Sequence, residues 1–71
     1  MSDKPTFADA VREGRAAHEM SQADLAEACE THQPAIARIE DRRRLVSEDS
    51  MHKIAAAFGE RVSEMLKRVG L

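Results

Sequence analysis

The 71-residue chain has no tryptophan and no tyrosine, and only two phenylalanines. So little aromatic surface argues against stacking the bases of single-stranded nucleic acid. There is one cysteine, Cys29, so no intrachain disulfide can form and a reducing cytoplasm suits the chain. No apolar run approaches the ~20 residues a membrane helix needs. The opening MSDKPTF has no apolar core of the kind a secretory signal carries, so neither membrane insertion nor export is expected. Repeats and low-complexity segments are missing too.

Other absences bear on chemistry. With three glycines there is no Gly-rich phosphate loop. His18, His32, His52 and Cys29 lack the paired spacing of a zinc site, so no metal or cofactor is expected. Cys29 falls on an apolar face and reads as a buried core thiol. No nucleophile–base pair is visible. A chain this short buries only about 60% of its unfolded surface. That leaves little room for a substrate pocket of several hundred Å³, roughly the volume a ligand site takes, and an enzyme is not expected.

What is present favours helix. Ala, Glu, Arg, Met and Leu dominate, and no strand-like alternation persists. Hydrophobic residues make up 42% and charged residues 34%, a folded composition. One domain over residues 1–71 is expected, with 1–5 as a flexible lead-in.

Five segments follow from periodicity. Residues 7–18 carry the stripe Phe7, Ala10, Val11, Gly14, with Thr6 as N-cap and Asp9 as its acidic partner. Residues 22–29 follow the N-cap Ser21, with Asp24 at the third helical position. Leu25, Ala28 and Cys29 share a face, and Ala26 is small enough for another helix to approach. Residues 33–40 are capped by His32 or Thr31, with Pro34 in the first turn. Here Ile36 and Ile39 face inward. Residues 48–58 follow Ser47, with Met51, Ile54, Ala55 and Phe58 apolar and Gly59 as terminator. Residues 62–69 carry Val62, Met65, Leu66 and Val69. The expected fold is all-α, a compact five-helix bundle. Its second and third helices, joined by about three residues, have helix-turn-helix geometry.

With Ile36 and Ile39 inward, positions 33, 34, 37, 38 and 41 point out. Gln33 can pair bidentately with an adenine edge and Arg38 with a guanine. Ala37 is small enough to bring backbone close or to touch a thymine methyl. The blander readings are a solvated helix start for Gln33 and an i,i+3 pair with Asp41 for Arg38. Arg42, Arg43 and Arg44 either grip phosphates or form a solvated turn pairing with Glu40, Asp41 and Glu48. The stretch HQPAIARIEDRRR, residues 32–44, has four arginines against Glu40 and Asp41, net +2. The whole chain is −2, so the remainder carries −4. A basic face on an acidic body steers DNA to one side.

The stretch MSQADLAEACETHQPAIARIEDRRR resembles the phage-repressor-like (Xre, Cro) helix-turn-helix family. Ser21–Gln22, Leu25–Ala26, Ile36 and Ile39–Glu40 fall at that family's spacing, as does the downstream HKIAAAFG. The likeness runs from about Phe7 to Leu66. It implies a lambda-repressor-like domain whose third helix lies in the major groove of double-stranded DNA. His32, Gln33, Pro34, Ala37 and Arg38 would then read bases, while Gln22, Arg42, Arg43 and Arg44 would hold phosphates. Glu40 would be structural, pairing with an arginine such as Arg15. Three departures stand out. Glu30 and Arg42 replace customary glycines, and Val46 replaces a customary proline. A non-glycine residue in left-handed backbone costs about 1 kcal/mol, so altered turns are expected rather than a lost fold.

The implied function is a sequence-specific transcriptional regulator, a repressor acting as a homodimer on a palindromic operator. Phage repressor, restriction–modification controller and antitoxin all suit it. Such a protein is bacterial or phage-encoded, cytoplasmic, and on the nucleoid when bound. Met65, Leu66, Val69 and Leu71 form the candidate dimer stripe, unless they pack inside the monomer; both can hold at once, with Met65 inward and Leu66 or Val69 outward. The alternative function is a protein-interaction module on the same fold, with a protein partner and weak or no DNA binding.

Overall fold

Thr6, Ser21 and Ser47 decide where three of the helices begin. In a computed structural model, which describes residues 6–41 and 44–70, each is the residue just before a helix. The Thr6 hydroxyl accepts from the Asp9 N–H at 3.4 Å, and the Asp9 carboxylate accepts from the Thr6 N–H at 2.8 Å. Ser21 and Asp24 repeat this reciprocal cap at 3.0 Å in both directions. Ser47 accepts from the Ser50 N–H at 3.2 Å. Each bond satisfies a donor that a helix start would leave unpaired.

Five helices result among the described residues: α1 (Phe7–Ala17), α2 (Gln22–Ala28), α3 (Gln33–Ile39), α4 (Glu48–Ala57) and α5 (Val62–Arg68). Each stops one residue short of its sequence-expected end. The expected flexible lead-in, residues 1–5, lies outside the described residues. No described helix is long and apolar enough to cross a membrane.

Three of these helices end in the same way. The residue after the cap adopts left-handed backbone, and the next N–H reaches back to a carbonyl five residues earlier. The Met20 N–H donates to the Arg15 carbonyl at 2.9 Å, Thr31 to Ala26 at 2.8 Å, and Glu60 to Ala55 at 2.9 Å. This is the Schellman terminator. Gly59 supplies the left-handed residue after α4, at φ +70°. After α1 and α2 it is a glutamate, Glu19 at +53° and Glu30 at +55°. Glu30 therefore keeps the geometry for which glycine is customary. Glu19 does the same where no glycine was expected.

The core is one cluster around the fully buried Val11, Leu25, Ile36, Ile54 and Met65. Burying each such side chain contributes roughly 1.5–3 kcal/mol. Ile36 anchors α3, while Ile39 is only half-buried at its end. Gly14 lets α1 lie against Phe58, whose ring stacks on His18 with centroids 5.2 Å apart and planes 6° from parallel.

Three expectations need correction. Ala28 is exposed and Ala26 is buried, because α2 turns its 25/26 edge to the core. Cys29 is half-buried rather than a core thiol, since it caps the end of α2. Its Sγ–H donates to the Lys53 carbonyl at 3.8 Å. Met65 is fully buried within the monomer and offers no surface to a dimer partner.

Candidate nucleic-acid interface

The outer face of α3 begins at His32, whose extended backbone turns the chain into the helix without a side-chain cap. Pro34 sits in the first turn, where a missing N–H breaks no helical bond. His32, Gln33, Pro34, Ala37 and Arg38 are all exposed, and Ile36 on the opposite side is fully buried. Thus the five expected base-reading residues share one outward surface. Arg38 makes no ion pair among the described residues. Asp41, which would have held it, pairs with Arg44 at 3.6 Å.

Glu40 closes α3 and is the buried charged residue of the site, 7% exposed. Its carboxylate accepts from Arg15 Nε at 2.6 Å and Nη2 at 3.0 Å. This two-pronged bond holds the Arg15 guanidinium above its ordinary pKa. Arg15 also donates to the Met20 carbonyl at 3.1 Å, tying in the turn before α2. Arg12, one turn earlier on α1, donates to the Glu40 main-chain carbonyl at 2.6 Å. Two arginines of α1 therefore clamp the end of α3, one on its backbone and one on its side chain. Arg15 was expected in this role and Arg12 was not. The available signal was their shared face, three positions apart on one helix.

Gln22, the first residue of α2, is turned toward the same centre. Its Nε2–H donates to Glu40 Oε1 at 3.2 Å, and its Oε1 accepts from Gln33 Nε2–H at 3.4 Å. The first residues of α2 and α3 are thereby joined.

Arg44 is exposed beside the end of α3, its side chain 58% accessible. Glu40 is engaged by Arg15 rather than Arg44. Arg42 and Arg43, expected to hold phosphates, lie outside the described residues, as does Leu71 of the expected dimer stripe. Leu66 and Val69 of that stripe are half-buried.

A helix-turn-helix family model matches residues 11–65. Among solved structures, the clp gene regulator ClgR from C. glutamicum superposes with a TM-score of 0.81, at 24% identity over 93% of this chain and 91% of that one. The restriction-modification controller protein C.AhdI from Aeromonas hydrophila superposes at 0.76, with 29% identity over 83% and 89% of the two chains. A hypothetical transcription factor, NHTF, from Neisseria gives 0.78, with 23% identity over 93% and 84%. At these identities the first and third speak for the fold alone. No curated protein matches the sequence.

Proposed function

The chain belongs to the helix-turn-helix family of DNA-binding transcriptional regulators, and from that premise we propose that it is a sequence-specific repressor acting as a homodimer on a two-fold operator in the cytoplasm. The observation that carries this reading is the outer face of α3, where five exposed residues stand over a fully buried Ile36. A rigid helix with its reading groups outward is what entry into the major groove requires. Gln33 reads an adenine edge and Arg38 a guanine edge. Arg44, with Arg42 and Arg43, holds the phosphate backbone and carries little sequence information. Gln22 adds a phosphate contact through the N–H that Glu40 does not use. Leu66 and Val69 supply the dimer contact, which sets the two reading helices roughly 34–36 Å apart.

Selection from a pool of random duplexes at two salt concentrations tests the proposal. Recovery of sites with dyad symmetry, and affinity that falls steeply with salt, is the expected result. No retention even at low salt would sink it.

A further inference from the structure

Glu40, Gln22 and Gln33 form a hydrogen-bonded chain whose direction is fixed by chemistry. An ionised carboxylate only accepts. Both Glu40 oxygens already accept from the Arg15 guanidinium. The end of Gln22 that faces Glu40 at 3.2 Å must therefore be its NH₂. Its carbonyl then faces the other way, toward Gln33 at 3.4 Å. The end of Gln33 facing that carbonyl must in turn be its NH₂. Turning either amide end for end would set two acceptors face to face. One buried charge thus determines which way round an exposed amide is presented.

We propose that Glu40, acting through Gln22, is a positioning residue that fixes the polarity of the Gln33 amide and so sets its preference for adenine over guanine. Held in this way, Gln33 turns its Oε1 outward as an acceptor and keeps one free N–H. Adenine offers an N6 donor and an N7 acceptor in the major groove, which match this pair. Guanine offers two acceptors, O6 and N7, and would leave Oε1 facing a lone pair. A freely flipping Gln33 could turn its NH₂ outward and tolerate guanine. Arg15 and Arg12 hold Glu40 against α1, so the polarity is anchored in the packed body of the protein rather than at its surface.

The inference rests on the base-reading role proposed for Gln33, and its test separates the two. In the free protein, the side-chain amide resonances of Gln33 are compared among wild type, Gln22→Met and Glu40→Gln. Gln22→Met keeps length and removes both hydrogen bonds. Glu40→Gln keeps an acceptor for Arg15 but lets either end of the group face Gln22. Both variants should shift the Gln33 resonances, the second from two hydrogen bonds away. In duplex selection, both should lower the adenine-to-guanine ratio at one position per half-site by roughly tenfold, with other positions unchanged.

The double variant Glu40→Gln with Gln22→Glu places an acceptor-only group beside Gln33 again. It should restore the adenine ratio, although the added negative charge weakens binding to all sequences. Gln33 resonances indifferent to Glu40→Gln would overturn the relay, and so would an unchanged ratio in Gln22→Met. Resonances that respond in a protein selecting no duplex would leave the relay standing and remove its base-reading role together with the regulator reading.

Discussion

Arg15 and Glu40 grip each other across 25 positions of sequence, Nε to Oε2 at 2.6 Å and Nη2 to Oε1 at 3.0 Å. The Glu40 side chain is 5% exposed and that of Arg15 21%. Removing one partner strands the other. Arg15→Ala leaves a buried carboxylate, and about 3 kcal/mol of stability should be lost, at the lower end for a broken buried pair. Replacing both residues with apolar ones of similar volume should cost much less. Urea unfolding of the two variants measures the difference. Equal losses would mean that the pair itself, rather than the stranded charge, sets the cost.

Gly14→Ala sets two effects against each other. Alanine favours a helix interior over glycine by about 1 kcal/mol. Its Cβ, however, would lie 2.5 Å from Cε2 of Phe58. That ring is 4% exposed and stacked on His18, so it has little room to move. Overpacking costs about 1–3 kcal/mol, and the net should be a lower melting temperature. A higher one would show that Phe58 shifts freely.

Glu30 holds left-handed backbone at φ +55°. Glycine there removes about 1 kcal/mol of strain and adds a smaller entropy to the unfolded chain. Glu30→Gly should raise stability slightly. Glu30→Val, with a β-branched side chain in the same backbone, should lower it by more. Thermal melts of the pair check the ordering.

Arg38 and Arg44 are both exposed, yet their roles in DNA binding should separate. Arg38→Ala should relax base preference at one position per half-site. Arg44→Ala should weaken all sequences alike and flatten the dependence of affinity on salt. Binding isotherms on matched and mismatched duplexes at several salt concentrations distinguish them. Equal, sequence-blind losses would place the reading group elsewhere.

Burial pushes the Cys29 thiol up, and the nearby charge of Lys53 offsets part of that. The folded protein thus holds this proton more tightly than the unfolded chain. Stability should fall as pH rises through the thiol range, because the unfolded state then releases a proton the folded state keeps. Alkylation at mildly alkaline pH should also be slower in the native protein than in urea. Equal rates would mean that the thiol is open to solvent.

Local chemistry was legible in the sequence and distant geometry was less so. Thr6, Ser21 and Ser47 act within three residues of themselves, and each helix start was found where they stand. The apolar stripe of α1 was read correctly because periodicity alone determines it. For α2 the face depends on which neighbours it packs against: periodicity puts Ala28 on the face of Leu25, whereas Ala26, small enough for a helix to approach, is the residue that is buried. Glu19 was missed for another reason. Left-handed terminators are recognised by glycine, and here a glutamate takes the position under tertiary constraint. The outward face of α3 was legible from Ile36. The partnership of Gln22 with Glu40 was not, since 18 residues separate them and only the packing of α2 on α3 brings them together.

The two left-handed glutamates sit on either side of α2. Seven residues are too few for a helix to persist alone in water, and both of its flanking turns carry backbone cost. Leu25, fully buried, and Ala26 are what keep it seated. In mechanical terms α2 is a catch held shut against two springs. Its latch is a leucine on the far side of the helix from anything the protein reads.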